Sequence, residues 1–552
     1  MNFSKITVKT SLLFIVILGF SLRVVNLTYA FPNLYMSSDE ASYHLSALLM
    51  IANKTLFTTG NYGPLGAYLQ IPFLALSSLI LFLANKINSF SELQILVATH
   101  EGYFLFIPRV ISAMFGTLTI LLVYHLSRLM FRNKKIALFS SLLCALSFNL
   151  VFVSHQARAL SPAIFFSLLG SYFALKAIWV KSKFNRFSTL SMIFCAISFG
   201  FYQIAGLIVI LCLLILRNAD FRFRVFLKRM LWPFLVFILL ITALNYLSLG
   251  SQFFSILNPA NKSDSVELIQ IGTSTSFSFH LIYNFFKKLL LSDTLIVLLF
   301  LPIFFLKEFR AKIYRPFKLF IIFNLFLSLL VFPTFIRYFL IAFSFFPLFA
   351  GAILYRFFIK VKYKFIFLVF IIAFTAFNSV YFNFLLIRKN TYSMMREWVD
   401  KNLSPQTPII ATTYKGIGYV PVKTATLKIK EKNPNYYKKT SQILNDQYLP
   451  NTRFIVYAGE FAEKGMNKAD YTKTAVSFFG ASIVIDQYLK STERLYLNND
   501  GLELELLAHF SSTGDKVYDR FIPEVSSDSS FFFPLFRLER PGPYFDILKI
   551  IK

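Results

Sequence analysis

The sequence predicts a polytopic α-helical membrane protein followed by a small soluble α/β domain. Three observations predict it. First, 56% of the 552 residues are hydrophobic and 18% aromatic, with a mean hydropathy of +0.60, which is too apolar for a string of soluble domains. Second, apolar runs of about 20 residues, the length that crosses a bilayer, recur as far as residue 387. Third, the charge is unevenly spread. Before residue 390 there are 35 Lys and Arg against 9 Asp and Glu, an excess of 26; from 390 onward there are 21 against 18, an excess of 3. A basic excess confined to short loops between apolar runs sets membrane orientation. A nucleic-acid partner would need the charge on a soluble face, so none is expected.

The apolar runs give spans near 11–29, 108–127, 136–153, 161–180, 188–201, 203–217, 231–249, 292–306, 319–335, 338–358 and 365–387, about eleven crossings by length. The first run has no small-residue cleavage site and reads as a retained signal anchor. The stretch 188–217 is too long for one crossing, so a break is expected near Gly200 and Gly206. With these spans the clusters Lys5/Lys9, Arg128–Lys135, Lys181–Arg186, Arg217–Arg229, Lys307–Lys318 and Arg356–Lys364 all fall on one side, the cytoplasm. The N-terminus is then cytoplasmic in a multi-pass cell-membrane protein of bacterial or archaeal type.

A further apolar stretch at 65–84 would reverse this parity if it crossed. It is therefore expected to be an interfacial or re-entrant helix inside a long outer loop, 30–107. Seven of the nine acids before residue 390 then face outward: Asp39, Glu40, Glu92, Glu101, Asp264, Glu267 and Asp293. From 390 the pattern changes. "SMMREWVDKNL" reads as an amphipathic helix, and "PIIAT", "RFIVY" and "SIVID" as short buried strands. The expected division is a membrane domain at 1–389 and an extracytoplasmic α/β domain at 390–552. Cys144, Cys195 and Cys212 all lie in apolar runs and read as packing residues, without a disulfide framework.

The chemistry-bearing stretch is "SSDE" at 37–40. Ser37 and Glu40 have capping-box spacing, and acids suit a first helical turn, so helix capping is one reading of both carboxylates. The other is catalytic. A carboxylate at the membrane surface can take a proton from a hydroxyl or amine within reach, and the acceptor can then attack a sugar carried on a lipid phosphate. The leaving phosphate needs cations. Lys54, Arg109, Arg158 and Arg337 fall at the outer ends of spans, where the competing reading is snorkelling to head groups. His44, His100, His155 and His280 share no metal-ligand spacing, so no metal and no cofactor is expected.

The stretches "SSDEASYHL", "NYGPLGAYL", "PRVISAMFGTLTILLVYHLSRLMF", "SHQARALSPAIFFSLLGSYF" and "IRYFLIAFSFFPLFAG", in that order, resemble the GT-C membrane glycosyltransferases. The resemblance is to the dolichyl-phosphate-mannose protein mannosyltransferase-like family, and also to the lipid A aminoarabinose transferases, and it covers roughly residues 10–390. It implies transfer of a sugar from a polyprenyl-phosphate donor on the outer face, with inversion at the anomeric carbon. Asp39 would be the base, with Glu40 beside it. The donor phosphate would be held by Arg158 and Arg337, with Lys54 and Arg109 as further candidates. Tyr43, Tyr62, Pro64, His155, Gln156 and Tyr338 would line the substrates.

There are departures. Where relatives have Ser-x-Glu-Ala-Arg, this chain has "SHQAR", with Gln156 in the acidic position. The Pro-Pro pair of many relatives is Gly63-Pro64, without the preceding lysine, which argues against a 4-amino-arabinose donor and leaves the phosphate to Lys54 or Arg158. The carrier is undecaprenyl or dolichyl, and the acceptor a protein, a lipid or a glycan. A transporter or flippase of lipid-linked saccharides is the alternative. It would show duplicated halves with matching broken helices, and the sequence has none. A membrane scaffold would need neither the outer carboxylates nor the arginines.

Overall fold

A computed structural model of the chain describes residues 7–29, 46–47, 50–51, 63–89, 92–93, 96, 104–219, 222–249, 279–331, 338–412, 420–421, 425, 452–461, 466, 468–488, 503–511 and 544–551. Asp39, Glu40, Tyr43, Lys54, Tyr62 and Arg337 lie outside the described residues.

The first part is helical: α1 (Val8–Val24), α2 (Pro64–Leu83), α3 (Phe106–Phe131), α4 (Lys134–Leu146), α5 (Phe148–Ser154), α6 (Leu160–Trp179), α7 (Phe184–Phe201), α8 (Ile208–Arg217), α9 (Phe223–Leu249), α10 (Phe279–Ser292), α11 (Thr294–Phe300), α12 (Arg315–Val331), α13 (Leu340–Phe343), α14 (Phe346–Lys360) and α15 (Lys364–Ile387). Among the described residues six helices are long and apolar enough to cross a membrane, or seven if the bent pair α4–α5 is one span. The spans expected at 11–29 and 319–335 fall at α1 and α12, whose 17 residues each are just short of that length. This is a multi-pass helical architecture. One large cluster of buried apolar side chains joins α1, α3–α8 and α14. Outward faces of α9 and α15 leave Leu231, Trp232, Phe365, Ile366 and Phe370 exposed, as expected of surfaces solvated by lipid tails.

Local sequence explains the joints. Arg132, with φ of 53°, ends α3 in the left-handed region, and Asn133 then caps α4 by accepting from the Lys135 and Ile136 amides. The break expected in 188–217 falls at Tyr202, between Gly200 and Gly206, followed by a 3-10 turn (Gln203–Leu207). The basic clusters meet at one end of the bundle. Arg132 lies 3.8 Å over the Trp179 ring, Asn218 donates to the Lys312 carbonyl, and Arg356 pairs with Glu308 at 3.2 Å.

Helix α2, the stretch expected at 65–84, buries only its first half: Pro64, Gly66, Ala67, Gln70 and Leu74. Leu79, Ile80, Phe82 and Leu83 are exposed. Its first turns pack Leu65 and Leu69 against the main cluster, and Ala47, Met50, Leu93, Leu96 and Phe104 of its own loop cover it further along.

The remainder forms α16 (Thr391–Asn402), β1 (Ile409–Ala411), β2 (Val420–Pro421), β3 (Thr452–Arg453), β4 (Ile455–Tyr457), α17 (Lys468–Phe479), β5 (Ile483–Tyr488), β6 (Leu504–Phe510) and β7 (Tyr544–Ile550). Five strands make one sheet in the order β4-β1-β5-β7-β6. The first three are parallel, and β7 and β6 add antiparallel. Strand alternation sends successive residues to opposite faces. Ile409, Ile455, Ile485 and Phe545 pack with Met395 and Val399 of α16. Ile410, Val456, Val484 and Leu548 pack with Ala475, Val476 and Phe479 of α17. The three strands and the helix expected from the sequence occur at these positions. The strands β6 and β7 were not expected.

Across the α17 face runs a polar row. Asp486 and Asp546 are cross-strand partners and both are fully buried. Asp486 pairs with Lys468 at 2.5 Å and accepts from Thr412 at 3.1 Å, while Asp546 pairs with His509 at 2.6 Å. The Tyr471 phenol is pushed above its usual range by burial and, secondarily, by the negative charge of Asp486.

Candidate functional site

The end of the bundle opposite the basic clusters holds a turn, 155–159, between α5 and α6. Every side chain in it is buried. His155 is fixed at both ring nitrogens: Nδ1 lies 3.0 Å from the Val151 carbonyl and Nε2 3.1 Å from Asn383 Oδ1. The Asn383 amide donates onward to the Leu22 and Ser379 carbonyls. Such a histidine is held by neutral partners and is part of the framework. Arg158 donates from Nη1 to Gln156 Oε1 at 3.1 Å. A carboxylate at 156 would neutralise the guanidinium; the amide holds it and contributes no charge.

Arg158 lines a narrow cleft of about 20 Å³, room for about one water, together with Gly66, Gln70, Pro108, Ser112 and Pro162. Gln70 reaches the Ala157 carbonyl from Nε2 at 3.5 Å. Its Oε1, and Nε2 of Gln156, are buried with no hydrogen-bond partner among the described residues. Unmet polar atoms of this kind call for a polar occupant or water.

Arg109 is fully buried. It donates from Nη1 to the Leu27 and Tyr29 carbonyls, each at 2.8 Å. Its role in the described structure is to tie the chain leaving α1 to the start of α3, one residue from cleft-lining Pro108. At Gly63 a Cβ would overlap the Gly200 carbonyl, so glycine lets the chain entering α2 lie directly on the end of α7. Pro64 is buried at the first position of α2, where a missing N–H costs nothing. Tyr29 and Gly63, which flank segment 30–62 with its Asp39, Glu40, Tyr43, Lys54 and Tyr62, therefore lie near the cleft. Tyr338, the neighbour of Arg337, stacks on Tyr202 with ring centroids 6.3 Å apart, and Tyr202 comes two residues after Gly200.

The structure thus brings Pro64, Arg109, His155, Gln156, Arg158 and Tyr338 to one end of the bundle. Gln70 and Ser112 were missed by sequence reading because a Gln or Ser in an apolar run carries no signal of its own. Asp293 is corrected. Expected among the outward-facing acids, it is only 4% exposed and sits inside the bundle, accepting hydrogen bonds from Ser147, Phe148 and Asn149. Arg23, fully buried near the end of α1, was overlooked, although a charge in a membrane run is itself a signal. Among the described residues no group of His, Cys, Asp and Glu could hold a metal ion.

No family model matches the chain, and no curated protein matches it by sequence. Solved structures similar in outline include the oligosaccharyltransferase of Archaeoglobus fulgidus in the apo form, at 13% identity over 88% of this chain and 70% of that one, with a TM-score of 0.46. The archaeal oligosaccharyltransferase AglB from Archaeoglobus fulgidus in complex with an inhibitory peptide and a dolichol-phosphate is 12% identical over 88% and 70%, with a TM-score of 0.46. ArnT from Cupriavidus metallidurans bound to undecaprenyl phosphate is 10% identical over 91% of this chain and 96% of that one, with a TM-score of 0.47. At these identities and scores the likeness carries no functional argument.

Proposed function

We propose that the chain is a membrane glycosyltransferase that moves a sugar from a polyprenyl-phosphate donor to an acceptor on the extracytoplasmic face. The observation that carries this reading is the cleft at Arg158. Arg158 donates to Gln156 Oε1 there, and a guanidinium beside two unmet amide atoms suits a phosphate oxygen. Tyr29 and Gly63, which flank the segment bearing Asp39 and Glu40, lie near the same place. The resemblance in sequence to the GT-C enzymes points the same way.

In this reaction Asp39 takes the proton from the acceptor hydroxyl or amine. The acceptor atom attacks the anomeric carbon from the face opposite the phosphate. The bond from that carbon to the phosphate oxygen breaks, and its electron pair leaves with polyprenyl phosphate. Arg158 and Arg337 hold the charge that develops on the leaving oxygen. Glu40 stands beside the base, and Lys54 is the further cation of the same loop. Helix α2 lies in the interface: its buried half faces the cleft and its exposed leucines and phenylalanine face lipid. The sheet region, on the outer side, positions the acceptor. The basic end of the bundle faces the cytoplasm.

The test uses the full-length protein in lipid nanodiscs with a panel of polyprenyl-phosphate sugars. Free polyprenyl phosphate should appear with at least one donor, and Asp39→Asn should lower its rate by about a hundredfold or more, since the contribution of a general base typically starts at about that figure. No turnover with any lipid-linked donor, together with transfer of an intact lipid-linked saccharide across the membrane, would replace this reading with the flippase.

A further inference from the structure

Helices α4 and α5 meet at Ser147 with a bend of 56°. A break in an apolar span frees carbonyls at the end of one helix and amides at the start of the next, and neither set finds water there. Here each set has been given a charged partner from elsewhere in the bundle. On the carbonyl side, Arg23 donates from Nη2 to Cys144 O at 3.1 Å and from Nη1 to Ala145 O at 3.0 Å. Ser379 of α15 donates to Leu146 O at 2.9 Å. On the amide side, Asp293 accepts from the Phe148 and Asn149 amides at 2.9 and 3.0 Å. It also accepts from Ser147 Oγ and Asn149 Nδ2 at 3.0 and 2.8 Å. The signs are those the helix dipoles favour, a cation on the carbonyl end and an anion on the amide end.

The helix beyond the break is short. With 7 residues in α5, roughly 10 Å of helix separates the Asp293 cap from the turn that carries Gln156 and Arg158. The helix is fixed along that length. A Cβ on Gly116 of α3 would overlap the Ser154 hydroxyl, so α3 and α5 touch backbone to side chain. At the far end, His155 is held by Asn383, which also binds the Leu22 carbonyl next to Arg23. A rigid rod with a fixed base sets the position of its tip.

We propose that Arg23 and Asp293 are positioning residues. One binds the carbonyl end of α4 and the other the amide end of α5, and together they set the bend that delivers Arg158 to the cleft. This rests on the reading of Arg158 as a phosphate ligand. Neither residue touches the cleft; both act through the backbone of the broken span.

The test compares wild type, Asp293→Asn, Arg23→Gln and Arg158→Gln, each full-length in nanodiscs, by hydrogen–deuterium exchange and by binding of decaprenyl phosphate. The amide side chain in Asp293→Asn keeps the shape, removes the charge and turns a donor toward amides. Exchange over 147–158 should rise about tenfold while α6 and α7 stay protected, and decaprenyl phosphate should bind about tenfold more weakly. Arg158→Gln should weaken binding without raising exchange. Wild-type exchange at 147–158 in both Asp293→Asn and Arg23→Gln overturns the proposal. So does a uniform rise across the bundle, which marks a merely structural role. If Arg158→Gln weakens binding and Asp293→Asn does not, the positioning role fails alone. If Arg158→Gln binds normally, the phosphate reading fails and takes the positioning role with it. Where Asp293→Asn does not fold, Asp293→Glu keeps the charge, displaces it by a methylene and should give a smaller change in the same two readouts.

Discussion

The helix bundle and the sheet both bury charge, and they compensate it differently. In the bundle, Arg23 and Asp293 face the ends of two half-helices; Arg23 hydrogen-bonds to backbone carbonyls and Asp293 to backbone amides and neutral side chains. In the sheet, Asp486 and Asp546 are fully buried, and each faces a basic side chain that reaches the surface: Lys468 is 22% exposed and His509 26%. The difference comes from the surroundings. A sheet edge near water can lend a carboxylate a basic partner that is itself partly solvated. Inside a lipid-solvated bundle no such cation is available without a second desolvation. A broken helix offers partial charges of both signs, and two ionised side chains can be housed apart from each other by using its two ends.

The contrast is broken most severely at Arg23. Arg23→Leu leaves the Cys144 and Ala145 carbonyls without their donor and leaves the charge of Asp293 on the other side of the break. A loss of about 3–5 kcal/mol is expected, the range for removing one member of a buried charged set. Thermal unfolding of the purified protein in one detergent measures it. A loss under about 1 kcal/mol, the net worth of an ordinary hydrogen bond, would mean that the break does not depend on its cation.

The sheet should respond asymmetrically. In Lys468→Met, Asp486 remains buried without its cation, and about 2 kcal/mol should be lost, since Thr412 still donates to it. In Asp486→Asn, Lys468 can turn to water, and the loss should be nearer to about 1 kcal/mol. Exchange of the β5 amides gives both values region by region. Equal losses would show that Lys468 cannot reach solvent, and the distinction between the two regions would narrow.

How much of the molecule is legible in the sequence depends on the range of the signal. The apolar helices, the break between α7 and α8, and the strands at 409–411, 455–457 and 483–488 come from local periodicity and length, which the sequence displays directly. The pairing of Arg109 with the end of α1, and of Gln156 with Arg158, joins residues whose types stand out and whose partners do not. Asp293 was misplaced because its partners, Ser147 to Asn149, lie more than 140 positions away. A lone acid before an apolar run looks the same whether it ends a span or caps another helix inside the bundle. The strand β6, "LELLAHF", was missed because its apolar residues fit a helix as well as a strand, and only pairing with β7 decides between them.

The smallest effect expected is at the basic end of the bundle, where Glu308 and Arg356 pair at 3.2 Å with side chains 53% and 41% exposed. The geometry is that of a salt bridge, and the chemistry is the same as in the other two regions, but water solvates both groups before and after the pair forms. Glu308→Gln should leave the melting temperature unchanged within error, and raising the salt concentration should move wild type and variant together. A clear drop would place this pair among the buried ones. Solvent access would then not be the variable that separates the three sites, and the ordering from Arg23 through Lys468 to Glu308 would need a cause other than desolvation.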